Sequence, residues 1–141
     1  MDRYNDEDRG DHQSSAGLII DEQGRILVQR HVKHQMLTLP IGKCKQHETP
    51  LQGLFTEMKE ELGINIQTAI EKCSYMKMYD FTGKPVNIDT HIFRIYRYDG
   101  EIRNMEPEKC SGLLWMTRNE LRSTTNEKIA DCLRVILDIL D

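Results

Sequence analysis

The chain has 141 residues with 19 Lys+Arg against 23 Asp+Glu, a formal charge of −4, and 38% of its residues are hydrophobic. This balance excludes a disordered chain and predicts one globular domain with a real core. No apolar run approaches the roughly 20 residues of a membrane span, and the mild acidity excludes a general nucleic-acid coat.

Residues 1 to 13 are almost wholly polar, offer no secretory signal, and are expected to form a tail ahead of a single domain over residues 14–141. Ser15 to Ile20 reads as a buried strand, Asp21 to Gly24 as a turn and Arg25 to Arg30 as a returning strand, so a hairpin is predicted. A short apolar run, Met36 to Leu39, stops at Pro40, and a loop from Ile41 to His47 follows. The next signals start a helix: Thr49 as N-cap, Pro50 at the first helical position, and Gln52 completing a capping box. Leu51, Leu54, Phe55, Met58 and Leu62 recur at helical spacing as one apolar stripe, and Gly63 is placed for a left-handed C-cap. Strands are predicted over Ile66 to Tyr79 and Val86 to Tyr98, with a hairpin signal at Asp99-Gly100 and a last strand at Leu113 to Met116. Thr124 and Glu127 repeat the capping-box pattern before a second helix with Ile129, Leu133, Ile136, Leu137 and Leu140 on one face. The order of strands, helix, strands and helix predicts an α+β sandwich, a mixed sheet packed between helices. Cys44, Cys73, Cys110 and Cys132 form no CxxC pair and read as reduced thiols, which places the expected location in the cytoplasm.

The first helix carries three acids, Glu57, Glu60 and Glu61, at i, i+3 and i+4. At 100° per residue they fall at about 0°, 300° and 40°, beside an apolar stripe near about 115°. Like charges so spaced weaken an isolated helix by about 0.2–0.5 kcal/mol per pair. A solvated acidic face is the ordinary explanation of such a run. A divalent cation is the other: carboxylates on one rigid face are hard oxygen ligands that suit Mg²⁺ or Mn²⁺.

Gly42, five residues, Glu48, seven residues, then Thr56-Glu57-Met58-Lys59-Glu60-Glu61-Leu62-Gly63-Ile64 resembles the Nudix box of the Nudix (MutT-type) hydrolases, G-x5-E-x7-R-E-U-x-E-E-x-G-U with U bulky and apolar. Only the arginine position departs, where Thr56 stands; Ile41 also replaces a glycine that often precedes the box. The resemblance implies a Nudix-type α/β/α sandwich and metal-dependent hydrolysis of a nucleoside diphosphate linked to a group X. By position, Glu60 and Glu61 would be the main metal ligands, and Glu57 would bind metal or orient and deprotonate the attacking water. A main-chain carbonyl near Ile41–Gly42 would add a ligand, and Glu48 would support the loop–helix junction. The family arginine holds the glutamates by charge-assisted hydrogen bonds, so with Thr56 in its place either another cation, Lys43 or Lys45, compensates or the site is weakened in rate and metal affinity.

Glu106-Pro107-Glu108-Lys109-Cys110 ahead of Trp115 resembles the segment before the last strand in Nudix enzymes acting on nucleoside triphosphates, with Glu108 as the candidate metal or base contact and Glu106 behind it. Together with the small domain, this favours a small nucleotide substrate, an NTP or dNTP cleaved to NMP and pyrophosphate. Dinucleoside polyphosphates, ADP-ribose, or a non-catalytic nucleotide- or RNA-binding module are the alternatives. Lys43, Glu48, Tyr79, Phe81 and Trp115 are the expected substrate contacts, although aromatics such as these and Phe93 more often pack a core. No membrane partner is expected, and a homodimer is compatible with the sequence. A competing zinc set, His31-x2-His34 with Cys44-x2-His47, has the right residue types, but scattered surface histidines explain it more simply.

Overall fold

Thr49, Pro50 and Gly63 delimit the first helix as their chemistry requires. In the computed structural model, which describes residues 10–80 and 83–140, helix α1 spans Pro50–Leu62. The Thr49 hydroxyl accepts from the Gln52 N–H, and Gln52 answers with its side chain on the Thr49 N–H. Gly63 closes the helix at φ 70°, a conformation glycine adopts without a Cβ penalty. The strands are β1 (His12–Leu18), β2 (Ile26–His31), β3 (Met36–Thr38), β4 (Ile41–Lys43), β5 (Asn65–Asp80), β6 (Pro85–Asp99), β7 (Cys110–Met116) and β8 (Lys128–Ile129); helices α2 (Arg118–Arg122) and α3 (Asp131–Ile139) complete the order.

The strands form two four-stranded sheets, β4-β1-β6-β5 and β7-β2-β3-β8, where one mixed sheet was expected. The fold class stands: mixed sheets packed with helices. Alternation along β2 sends Ile26 and Val28 into one apolar cluster, which contains Leu133, Ile136 and Leu137 of α3. Leu27 points the other way, into a second cluster built on Leu54, Met58 and Leu62 of α1. Strand β6 divides in the same manner, with Ile92 in the first cluster and Phe93 in the second. Both strands are therefore apolar on both faces. No described helix is long and apolar enough to cross a membrane.

Four expectations need correction. The predicted β1–β2 hairpin keeps its turn, where Asp21 Oδ1 accepts from the Gln23 and Arg25 N–H groups, but the strands part after a single bridge, Ile20 to Ile26. Strand β1 instead lies between β4 (antiparallel) and β6 (parallel): it is buried from Ser14 to Leu18, so its main-chain groups take partners on both edges. Asp99-Gly100 starts no hairpin: Gly100 turns at φ 98°, and the segment returns to the end of α1, with the Arg103 and Met105 N–H groups on the Leu62 and Glu61 carbonyls. Those carbonyls have no partner within the helix, so they capture the loop. The last helix starts at Asp131 behind Ala130 without a side-chain cap, since Glu127 is held by Arg30 and Ile129 belongs to β8. The capping box in this half of the chain is Thr117–Glu120, which starts the short α2. Finally, Leu51 and Phe55 are each 43% exposed. The buried residues of α1 are Gly53, Leu54, Glu57, Met58, Glu61 and Leu62, an arc centred at about 50° on the scale that sets Glu57 at zero. The helix thus buries its acids together with its apolar side chains.

Candidate active site

Glu57 and Glu61 are 3% and 6% exposed, whereas Glu60, one position before Glu61, is exposed. The cause lies on β4. A Cβ built on Gly42 would stand 1.9 Å from the Glu57 carboxyl carbon, so only glycine lets the helix carboxylate lie flat on the strand. At Gly53 a Cβ would meet the Cys44 sulfur at 2.6 Å, and the same closeness presses the first half of α1 onto the chain leaving β4.

A cleft of about 1000 Å³ opens between the two sheets. Its floor crosses β4 (Gly42, Lys43), β1 (Ser14), β6 (Thr90) and β5 (Tyr75, Tyr79), three strand spacings or about 14 Å. Glu61 enters from α1, and Glu106 and Glu108 enter from the segment tied to the end of that helix. The acids of this wall thus come from α1 and from the segment ahead of β7. Toward β5, the Tyr79 hydroxyl donates to Asp131 Oδ2 at 2.7 Å, and Lys77 Nζ reaches the same oxygen at 2.8 Å. Burial alone would raise the Asp131 carboxyl, but the bonds from Lys77 and Tyr79 outweigh it and hold the group below the ordinary aspartate value. The Tyr79 phenol moves up, first through burial and then through its bond to that carboxylate.

The loop before α1 is fastened by Glu48. Its Oε1 accepts from the Lys45 N–H at 2.8 Å and its Oε2 from the Thr56 hydroxyl at 2.7 Å. Burial pushes this carboxyl up; the two hydrogen bonds, helped by the Lys45 and His47 charges, pull it below the ordinary value. Thr56 therefore contacts an acid of the motif directly. At Glu48 the two contacts are a hydroxyl, from Thr56, and a main-chain amide, from Lys45.

Residues 11–135 match the NUDIX domain family. The chain belongs to the Nudix family. Over 59 residues this Nudix chain is 36% identical to an RNA pyrophosphohydrolase of Marinomonas sp. (strain MWYL1), covering 41% of this chain and 37% of that protein. Over 56 residues it is 38% identical to an 8-oxo-dGTP diphosphatase of Proteus vulgaris, covering 37% of this chain and 50% of that one. The matches thus span half or less of these relatives' lengths. Among solved structures, a MutT NUDIX hydrolase from Burkholderia pseudomallei superposes with a TM-score of 0.79 at 21% identity, covering 92% of this chain and 98% of that one. That likeness is one of fold.

Within this Nudix domain the structure brings Gly42, Lys43, Glu61, Glu108 and Tyr79 into the wall of one cleft, with Glu57 behind Gly42. Glu60 and Glu48 lie outside that wall. Trp115 does too: on β7, opposite Leu27, it packs on the apolar cluster beneath α1, and Phe93 is buried in the same cluster. Phe81 lies outside the described residues. Among the described residues no three His, Cys, Asp or Glu side chains converge into a ready-made metal cage. The proposed zinc set is not assembled: His31 and His34 stack on each other while Cys44 bonds Ser15 under α1. Sequence reasoning missed Tyr75, Thr90 and Asp131. The two-residue period of β5 places Tyr75 on the same face as Tyr79, a signal available in the sequence; Asp131 joins only through the tertiary fold.

Proposed function

We propose that this Nudix chain is a pyrophosphohydrolase that cleaves a nucleoside triphosphate to the monophosphate and pyrophosphate with Mg²⁺ or Mn²⁺. The observation that carries the reading is the burial of the Glu57 and Glu61 carboxylates on one rigid helix at the β4 wall of a nucleotide-sized cleft. The donor set fits a hard divalent ion: all its ligating atoms are oxygens, and the space over Gly42 is filled by a carboxylate. Mg²⁺ keeps several waters and binds through one or two carboxylates plus substrate phosphates, so a closed protein cage is not required.

Glu57 and Glu61 would hold the ion, with Glu60 contributing from the exposed flank and Glu108 from across the cleft. Bound there, a divalent ion supplies charge against the phosphates and acidifies water. Glu57, fixed against Gly42, would orient the attacking water and take its proton. Lys43 offers its cation to the phosphates from the same strand. Tyr79 and Asp131, already bonded to each other, form the polar boundary at the β5 end. The names of the relatives, which act on 8-oxo-dGTP and on RNA, agree with a substrate of the triphosphate type.

The test is pyrophosphate release from an NTP and dNTP panel with each metal. The expected result is metal-dependent release that Glu61→Gln abolishes and Glu60→Gln reduces less. Turnover of ADP-ribose or a dinucleoside polyphosphate without any pyrophosphate from NTPs would replace the substrate class, and tight nucleotide binding without any turnover would make the chain a binding module.

A further inference from the structure

The sheet β4-β1-β6-β5 has two ends of unequal kind. Strand β4 closes one end with 3 residues, whereas β5 forms the other with 16. Among the described residues, the outer edge of β5 pairs with no strand. Every second residue of such an edge turns its N–H and C=O outward, a template for another strand. Long edges are ordinarily blunted by proline, bulges or charge. Here the register shifts between β5 and β6 all fall before Cys73, so Cys73 to Asp80 runs straight against Pro85 to Ile92. The straight run holds no proline, and its internal charge, Lys77, is bound to Asp131 at 2.8 Å.

The two faces of this run differ. Tyr75 and Tyr79 line the cleft. Ser74 pairs with His91 and His91 with Ser15, whose hydroxyl donates to the Pro50 carbonyl, so Ser74, Met76 and Met78 alternate onto the face that carries α1. The helix presses Glu57 on β4 and Met58 on β1. It leaves Met76 67% and Met78 62% exposed, the two most exposed large apolar side chains among the described residues.

A second copy fits this edge by symmetry. Antiparallel pairing of β5 with β5 about a two-fold axis normal to the sheet keeps like faces together, so the register depends on which residue sits on the axis. Lys77 on the axis would set two ammonium groups against each other. Tyr75 on the axis would place Lys72 opposite the partner's Met78. Met76 on the axis sets it against the partner's Met76 and puts Ser74 opposite the partner's Met78. At both ends it also brings Lys72 to the partner's Asp80, a meeting of opposite charges that the symmetry repeats.

We propose that the chain forms a two-fold homodimer through antiparallel β5–β5 pairing centred on Met76, which joins the two four-stranded sheets into one continuous sheet. Tyr75 and the partner's Lys77 then share the cleft face, so each copy borders the β5 end of the other's cleft. The assembly does not depend on which substrate the cleft takes.

Sedimentation equilibrium of the full chain tests the assembly. The expected mass is twice 16.5 kDa. Met76→Glu, which sets two carboxylates face to face at an exposed position, is expected to raise the dissociation constant by about tenfold or more while circular dichroism stays unchanged. Oxidative cross-linking in a Cys73→Ser background tests the register, since the other cysteines, Cys44, Cys110 and Cys132, are buried. Met76→Cys is expected to form a disulfide-linked dimer, because its two copies face each other on the axis. Met78→Cys is expected to form none, because an offset of about four residues sets its copies about 14 Å apart, twice the reach of a disulfide. A monomer at every concentration, a dimer equally tight in Met76→Glu, or cross-linking of Met78→Cys as ready as that of Met76→Cys each overturns the proposal.

Discussion

Thr49-Pro50-Leu51-Gln52 and Thr124-Thr125-Asn126-Glu127 present the same capping pattern in two regions of one chain, and only the first begins a helix. At the first, nothing competes: Gln52 is exposed and its amide oxygen returns to the Thr49 N–H at 2.9 Å. At the second, Arg30 reaches across from β2 and takes both oxygens of Glu127, at 2.8 and 3.0 Å. A forked, charge-assisted pair is stronger than a capping bond, and Lys128–Ile129 then pairs with β3 instead of coiling. A local signal decides local structure only where no tertiary partner outbids it. The region of α1, where signals agree, carries the candidate site; the region around α3, where they conflict, supplies the cleft's other wall.

The contrast can be broken at several strengths. The largest effect is expected at the buried acids: Glu57→Gln or Glu61→Gln should lower pyrophosphate release by about 10²–10⁴-fold, while circular dichroism and the unfolding midpoint stay close to wild type. Next is Gly42→Ala, whose methyl group would enter the Glu57 carboxyl. Urea unfolding should show a loss of about 1–3 kcal/mol, accompanied by a fall in turnover that Thr124→Ala, in the other region, does not produce.

The caps themselves should separate more gently. Thr49→Ala and Thr117→Ala are each expected to destabilise by about 1 kcal/mol. Thr124→Ala should stay within about 0.5 kcal/mol, because the Thr124 hydroxyl donates to the Glu120 carbonyl and caps no helix start. A Thr124→Ala loss equal to that of Thr49→Ala would show that the second box works after all.

The smallest effect concerns the Glu48 latch. Its carboxyl is a stronger acid in the folded chain than at the ordinary value of 4.5. The stability it lends is therefore complete above that pH and fades as pH falls through the folded value. Acid-unfolding curves should show this below about pH 4.5, and Thr56→Val should flatten the dependence there by removing the hydroxyl that bonds Oε2. An unchanged acid limb would mean that Lys45 alone holds the loop.

Much of α1 was legible because its information is local: cap, proline, apolar spacing and terminal glycine lie within 15 residues of one another. The Nudix spacing also marked Gly42 and Glu57 as related, although only coordinates reveal that one leaves room for the other. Sheet partition was not legible. Residues 15–20 and 26–30 alternate as well for a hairpin as for two strands that separate, and the choice rests on β6, which arrives about 60 residues later. Asp131 was missed for the same reason, since Tyr79 approaches it from 52 residues away in sequence. Trp115 was ambiguous because an aromatic after an acidic turn looks the same whether it faces a ligand or, as here, the apolar cluster under α1.

Mn²⁺ titration followed by electron paramagnetic resonance addresses the role of the two buried acids without requiring a substrate. The wild-type chain should bind Mn²⁺, and Glu57→Gln with Glu61→Gln should weaken that binding by at least about tenfold while the fold persists. Equal Mn²⁺ binding by both proteins would contradict the account.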